Sequence, residues 1–217
     1  MDKIDKISLD CVVPNVFAGE PISSEVWNCR LTLDRGSAYR IDAASGTGKT
    51  TLCSFLFGVR RDFAGTILFN GRDTSQFSVS DWCETRRRHI AYLPQELDVF
   101  DELSALDNVL LKNRLTDFRS AEEIRTMFER LEIDNRIDTP CGRMSVGQRQ
   151  RVALIRALCQ PFDFILLDEP VSHLDGQNNS LCAAMVAEEA RRQQAGVIFT
   201  SVGNPLNYPG PFLPLKL

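Results

Sequence analysis

The chain has 217 residues, of which 43% are hydrophobic and 25% are charged, and its formal net charge is -4. This composition is typical of a globular protein with a sizeable core, and the negative charge argues against bulk electrostatic binding of nucleic acid. The chain has no apolar run of the roughly 20 residues that span a bilayer, no signal-peptide pattern at residues 1–5, and seven scattered cysteines without metal-ligand spacing, so we expect a cytoplasmic protein with reduced thiols.

The first third of the chain predicts strands followed by a helix and a further strand. The first forty residues have strand-like alternation broken by turn signals, and residues 39–41 read as the end of a strand. Residues 51–56 predict the start of a helix that Gly58 can terminate. Residues 65–71 predict a short strand between two glycines.

The remainder predicts a helical segment and then a return to strands and helices. Residues 80–160 are mainly helical in pattern, with a capping box at residues 120–123. Residues 164–167 and 196–200 are continuous apolar runs that suit buried parallel strands, and residues 178–194 between them predict a helix. This alternation indicates an α/β sheet with an inserted helical subdomain.

Residues 43–50, Ala-Ala-Ser-Gly-Thr-Gly-Lys-Thr, predict a phosphate-binding loop between a strand and a helix. Gly46 and Gly48 let the backbone curl so that successive N–H groups point at an anion. Lys49 brings a cation to the outer phosphates, and Thr50 offers a hydroxyl to Mg²⁺. The loop fits the Walker A pattern, with Ala43 in the place of the first glycine.

Asp168 and Glu169 directly follow the buried strand predicted at residues 164–167, which is the Walker B arrangement. At the tip of such a strand, Asp168 would hold Mg²⁺, directly or through water, and Glu169 would orient and polarise the attacking water. Residues 144–151, Met-Ser-Val-Gly-Gln-Arg-Gln-Arg, also have capping-box spacing from Ser145 to Gln148 and predict a helix whose N-terminus is a second anion site.

Together these segments resemble the nucleotide-binding subunit of ATP-binding cassette (ABC) transporters, essentially from end to end. Residues 144–148 resemble the family's signature, Leu-Ser-Gly-Gly-Gln, which contacts the nucleotide on the opposite protomer. Gln95 matches the Q-loop glutamine, Asp175 matches the D-loop at the dimer seam, and Phe17 stands where the family places an aromatic that stacks on adenine. Residues 100–109 resemble the small importer and lipoprotein-release type of subunit.

The resemblance implies ATP and Mg²⁺ as cofactors and a complete set of site residues. The catalytic residues would be Lys49, Gln95 and Glu169, and the metal would be held by Thr50, Gln95 and Asp168. The nucleotide contacts would come from Phe17, Ser45, Gly46, Thr47, Gly48, Lys49, Thr50, Thr51, Ser145, Gly147, Gln148 and Asp175.

Three positions depart from the family's pattern. Ala43 replaces the first Walker glycine, and Val146 replaces the first glycine of the signature. The family also expects a switch histidine after the last core strand, where Val202 is the best match here and Ser201 the next. Neither side chain supplies an imidazole, so nucleotide binding should survive while the rate of hydrolysis is in question.

The predicted fold is an α/β P-loop NTPase core with a mainly parallel sheet, an N-terminal antiparallel β subdomain and an inserted helical subdomain. Residues 1–217 would form a single nucleotide-binding domain, with the catalytic core at about 1–80 and 160–217 and the helical subdomain at about 81–159. The subunit would dimerise on Mg·ATP, with itself or a second ABC subunit, and power a separate transmembrane permease at the inner face of the cell membrane.

Two other functions stay open. The first is a nucleotide-gated scaffold or regulatory protein that dimerises on ATP but hydrolyses it slowly, which the absent histidine favours and the intact Glu169 opposes. The second is an ABC protein of DNA repair or translation, although such proteins usually carry paired cassettes or long insertions that this chain lacks.

Overall fold

The computed structural model describes residues 2–44 and 46–217 of the chain. Ser45, which the resemblance assigns to nucleotide contacts, lies outside the described residues. None of the described helices is long and apolar enough to cross a membrane.

The N-terminal part of the chain forms an antiparallel sheet of four strands. In spatial order these are β2 (Arg30–Asp34), β1 (Lys6–Pro14), β4 (Phe63–Phe69) and β5 (Arg72–Asp73). Ile7 of β1 pairs with Leu33 on one side and with Phe69 on the other, and all three side chains are buried. This row of cross-strand apolar contacts holds the register of the sheet.

The second sheet has five strands, and every pairing in it is parallel. In spatial order these are β6 (Ile90–Leu93), β7 (Phe164–Leu167), β8 (Gly196–Ser201), β3 (Ala38–Asp42) and β9 (Leu213–Lys216). All residues of β7 and β8 are buried, as expected of central parallel strands that are covered on both faces. The carboxyl ends of the strands meet at one edge, which is where α/β sheets bind ligands.

The helices predicted at residues 51–56 and 178–194 both form, with ends within two residues of the prediction, and the described residues form six α-helices in all. They are α1 (Lys49–Leu56), α2 (Val79–Glu84), α3 (Ala105–Asn113), α4 (Ala121–Arg130), α5 (Val146–Leu158) and α6 (Gly176–Gln193), with a π-helical turn at Thr85–His89 after α2. Both predicted capping boxes form, at Ser120 before α4 and at Ser145 before α5. Gly58 has a φ of 71° just after α1, where it ends the helix as expected.

The parallel sheet separates two hydrophobic cores. Ile165 and Leu167 of β7 pack into a core with the helices of the middle segment, whereas Phe164 and Leu166 pack into a core with α1 and the antiparallel sheet. Alternate residues of one strand therefore face opposite layers, which explains why the strand sequence is continuously apolar.

The α/β fold class is confirmed, with an antiparallel sheet, a parallel sheet and a helical insertion. The strand β6 lies inside the range predicted for the helical subdomain, about 81–159, yet it pairs with β7 of the core sheet. We therefore propose that the inner boundary of that subdomain follows Leu93 and not residue 80.

Candidate nucleotide-binding site

The loop between β3 and α1 has the backbone shape of an anion cradle. Gly46 and Gly48 have φ values of 82° and 102°, which side chains with a Cβ rarely adopt. A Cβ on Gly48 would lie 3.2 Å from Cε2 of Phe17 and 3.4 Å from Cζ2 of Trp27. Glycine at this position therefore allows both the left-handed backbone and the close packing of the two rings.

Lys49 begins α1 beneath this loop, and it is 5% exposed. Its Nζ donates to the backbone oxygen of Ala44 at 2.8 Å and to that of Ala43 at 3.4 Å. The same Nζ lies 3.9 Å from Oε1 of Glu169. The loop carbonyls thus hold the buried ammonium of Lys49 beside the carboxylate of Glu169.

A chain of polar contacts joins three of the predicted site residues. The Oγ1 of Thr50 donates to Oε1 of Gln95 at 3.3 Å, and Nε2 of Gln95 donates to Oε2 of Glu169 at 3.4 Å. These residues come from α1, from the segment after β6 and from the segment after β7. The parallel sheet brings them together because all three segments leave its carboxyl edge.

Asp168 and Glu169 are both tied to Thr200 on the neighbouring strand β8. The Oγ1 of Thr200 donates to Oδ1 of Asp168 at 2.8 Å and accepts from the backbone N–H of Glu169 at 2.9 Å. Glu169 has a φ of 51°, a conformation that an L-residue keeps only when its surroundings fix it. The Thr200 hydroxyl supplies one such restraint.

The oxygen atoms in this group suit a divalent cation. Asp168 is 1% exposed, and its Oδ2 is buried without a hydrogen-bond partner among the described residues. Burying such a carboxylate oxygen costs folding free energy unless the oxygen pairs with a cation or with water. Together with the hydroxyl of Thr50 and the amide oxygen of Gln95, it matches the hard oxygen ligands that Mg²⁺ takes beside phosphates.

Two aromatic side chains line the other side of the loop. Phe17 is half-buried in a 3₁₀ turn after β1, and Trp27, which precedes β2, donates from Nε1 to the backbone oxygen of Thr47 at 3.4 Å. The hydroxyl of Thr47 donates in turn to the backbone oxygen of Ala44 at 2.8 Å. The predicted adenine-stacking residue is therefore a direct neighbour of the phosphate loop, in a position compatible with that role.

Thr51, another predicted nucleotide contact, has a different partner in the structure. Its Oγ1 accepts a hydrogen bond from Nη1 of Arg60 at 3.2 Å. The guanidinium of Arg60 also pairs with the carboxylate of Asp62.

The predicted signature residues lie at the N-terminus of α5. The Oγ of Ser145 accepts from the backbone N–H of Gln148 at 3.2 Å, and Oε1 of Gln148 accepts from the N–H of Ser145 at 3.0 Å. Among the described residues, no hydrogen bond or ion pair joins Ser145, Gly147 or Gln148 to the loop at residues 46–50. Within the described part of a single copy, the signature residues therefore make no polar link to the phosphate loop.

Gln150 connects the signature helix to the second motif. Its Nε2 donates to the backbone oxygen of Glu169 at 3.2 Å, and its Oε1 accepts from the N–H of His173 at 3.3 Å. A Cβ on Gly147 would lie 3.2 Å from the backbone oxygen of His173, so the helix packs tightly against this segment. A shift of α5 would consequently move the backbone that carries Glu169.

Asp175 serves as the N-cap of α6. Its carboxylate accepts from the backbone N–H of Asn178 at 2.8 Å and from the side-chain Nδ2 of Asn178 at 2.9 Å, and these hydrogen bonds lower its pKa. The side chain is exposed, and it is ionised in the neutral range.

Ser201 and Val202, the two residues considered for the switch position, have different surroundings at the end of β8. Ser201 is buried, whereas Val202 is 42% exposed immediately after the strand. Val146 at the start of α5 is 40% exposed as well. Both substituted positions are therefore accessible to a ligand or to a second protein chain.

Three residues of the site were not identified from the sequence: Trp27, Gln150 and Thr200. Each acts through a partner that is distant along the chain, so no local motif marks it. The position of Thr200 at the end of a buried strand beside the second motif could have indicated that its hydroxyl needs a partner.

Comparison with known proteins relates this chain to proteins that bind ATP. The ABC transporter family model matches residues 26–172. A macrolide export ATP-binding/permease protein MacB of Shewanella sp. strain ANA-3 is 32% identical over 189 residues, which cover 84% of this chain and 28% of that protein. The lipoprotein-releasing system ATP-binding protein LolD of Shewanella denitrificans is 29% identical over 180 residues, which cover 82% of this chain and 76% of that protein.

A solved structure gives the same result for the fold. The bacterial ABC transporter cassette MJ0796, determined as a dimer, superimposes with a TM-score of 0.79 at 24% identity, covering 97% of this chain and 94% of the cassette. The chain spans less than a third of the length of the MacB relatives it matches.

Proposed function

This chain belongs to the ABC transporter family, and on that premise we propose that it is an ATP-binding and ATP-hydrolysing subunit that powers a separate membrane permease. The observation that carries the proposal is the set of contacts joining Lys49, Thr50, Gln95 and Glu169, with Asp168 adjacent. These residues lie on segments that follow different strands, and an ATPase needs them together to bind phosphate and Mg²⁺.

Each side chain has a task that its surroundings support. The ammonium of Lys49 and the N–H groups of the glycine-rich loop would bind the outer phosphates of ATP. Thr50, Gln95 and Asp168 would hold Mg²⁺, which when bound neutralises developing charge on the transferred phosphate. Glu169 would polarise and orient the attacking water. Phe17 would stack on the adenine ring, beside the contacts from Thr47 and Thr51.

We further propose that two copies, or this chain and a second ABC subunit, form the complete site. Among the described residues, Ser145, Gly147 and Gln148 form no hydrogen bond or ion pair with the loop of their own chain, so they are available to contact nucleotide bound to a partner. Asp175 would lie at the seam between the two protomers. ATP would hold the protomers together and hydrolysis would release them, at the inner face of the cell membrane beside the permease.

A second candidate function rests on Val202 and Ser201. Without an imidazole after β8, the protein could act as a nucleotide-gated scaffold that dimerises on ATP and hydrolyses it slowly. The presence of Glu169 beside Lys49 and Gln95 argues for hydrolysis. The two functions differ in turnover and share the nucleotide site.

The proposal is tested by substituting the cation of the phosphate loop. We expect Lys49→Ala to abolish binding of a fluorescent ATP analogue in the presence of Mg²⁺, because no other side-chain amine lies in the loop. The exposed Lys6 of β1 provides a matched control, and Lys6→Ala should bind as the wild type does. Equal affinity of Lys49→Ala and wild type would remove the assignment of the phosphate loop.

A further inference from the structure

Two cysteines, Cys11 and Cys29, are adjacent just beyond the last residue pair of β1 and β2. Asp10 of β1 and Arg30 of β2 form the last pair of this ladder, and Cys11 and Cys29 are the next residues on its two sides. The backbone N–H of Cys11 donates to the carbonyl of Cys29 at 3.0 Å. Cys29 directly precedes β2 and Cys11 has a φ of 50°, so the pair lies at the irregular end of the ladder, where this hydrogen bond keeps the two backbones adjacent. Adjacent backbones of this kind bring two Cα atoms within reach of the separation of about 4.4–6.8 Å that a disulfide requires.

Both thiols are free, and the pair is accessible. Cys11 is exposed and Cys29 is partly exposed, whereas Cys53, Cys141, Cys159 and Cys182 are buried. Burial, followed by the nearby thiol of Cys11, raises the pKa of Cys29. Cys11 is therefore the better placed of the two to react first.

The pair closes a segment that reaches the phosphate loop. Residues 12–28 between the two cysteines carry Phe17 and Trp27, both of which pack near Gly48. The N–H of Asn28 donates to the carbonyl of Val12 at 2.9 Å, so the base of the segment is already narrow. A covalent link between Cys11 and Cys29 would join its two ends with little backbone movement.

We propose that Cys11 and Cys29 form a reversible disulfide site, oxidised by exchange with a low-molecular-weight disulfide such as oxidised glutathione. The thiolate of Cys11 attacks one sulfur of the reagent and expels a thiolate, which leaves a mixed disulfide on Cys11. The thiolate of Cys29 then attacks Sγ of Cys11 and expels the second thiolate. The two protein thiols lose two electrons and two protons, and one reagent disulfide becomes two thiols.

Oxidation restrains the segment that carries Phe17. The cross-link removes conformational freedom from the unfolded chain, and for a loop of this length we expect the Tm to rise by about 5–10 °C. The proposed consequence for nucleotide binding rests on the proposed function. Holding one aromatic side chain in place before binding should tighten nucleotide affinity by about two- to tenfold.

The experiment treats the purified full-length protein with oxidised glutathione and maps its cysteines by peptide mass spectrometry. We expect one intramolecular Cys11–Cys29 link, reversed by dithiothreitol, and slower hydrogen exchange in residues 12–28. Cys29→Ser should accumulate a glutathione adduct on Cys11, because the second thiol that resolves it is missing. Cys83→Ser removes an exposed thiol of α2 and should form the link as the wild type does.

Several outcomes would overturn the proposal. These are the absence of a Cys11–Cys29 link, links between separate chains instead, or an adduct on Cys11 that persists in the wild type as it does in Cys29→Ser. If the link forms and the nucleotide affinity of the two redox forms is equal, the coupling to the phosphate loop is wrong. If the link forms and neither form binds nucleotide, the proposed function fails while the disulfide site stands.

Discussion

Replacing Thr200 with valine tests how Asp168 and Glu169 are held after β7. Thr200 is 1% exposed, and its hydroxyl bridges the carboxylate of Asp168 and the N–H of Glu169. Valine keeps the shape and supplies no polar atom. The change leaves a buried N–H unpaired and removes a donor from a buried carboxylate whose Oδ2 already lacks a hydrogen-bond partner among the described residues.

The expected loss of stability follows from these two contacts. An unpaired buried polar group costs about 1–3 kcal/mol, and more when the group is charged, so we expect Thr200→Val to lose about 2–4 kcal/mol. For a chain of this size, this loss lowers the Tm by about 5–15 °C. Urea unfolding followed by tryptophan fluorescence measures the free energy, and circular dichroism gives the Tm.

Thr200→Ser is the matched control, because serine retains the hydroxyl and lacks only the buried methyl group. It should cost about 1 kcal/mol for the lost apolar surface and cavity. Because Thr200 acts through Glu169, Thr200→Val should also lower the kcat of ATP hydrolysis more than it weakens nucleotide binding. If Thr200→Val is no less stable than Thr200→Ser, the hydroxyl does not hold the carboxylate of Asp168 and the backbone of Glu169, and the prediction is wrong.

Three further predictions concern hydrolysis and pH. Glu169→Gln keeps the shape of the side chain and loses the charge that polarises water, so we expect an ATP-stabilised dimer of doubled mass in size-exclusion chromatography. A monomer at every ATP concentration would count against the composite site. Val202→His should raise the kcat of a slow wild type with little change in nucleotide affinity, since a positioned acid–base group contributes about 10²–10⁴-fold. Phosphate release of tens per second from the wild type, or a slow enzyme left unchanged by the substitution, would contradict this prediction. Burial, and then the charge of Arg156, lowers the pKa of Lys112 from 10.5 to about 8. The unfolded chain therefore keeps a proton that the folded protein loses between those values, and the free energy of unfolding of wild type relative to Lys112→Met should rise from pH 8 to 10.5. Parallel pH profiles for the two proteins would show that the fold does not lower the pKa of Lys112.

The sequence alone determined the local parts of this protein. The phosphate loop, the apolar strand before Asp168 and the capping boxes at Ser120 and Ser145 each depend on residues that are neighbours along the chain. Their geometry is set by backbone conformation, by period and by hydrogen bonds within a turn, all of which are visible as short patterns. The strand at residues 196–200 and the helix at residues 178–194 were predicted within two residues of their observed ends for the same reason.

Only the tertiary structure decided how these parts meet. The order of the parallel strands places Gln95 between Thr50 and Glu169, which are 45 residues before it and 74 residues after it. It also places Thr200 against the carboxylate of Asp168 and the backbone N–H of Glu169. These contacts follow from burying both faces of one sheet, a requirement that every strand shares and that no short pattern records. The sequence therefore indicates which groups the chemistry needs, and the packing of the sheet determines which other residues hold them.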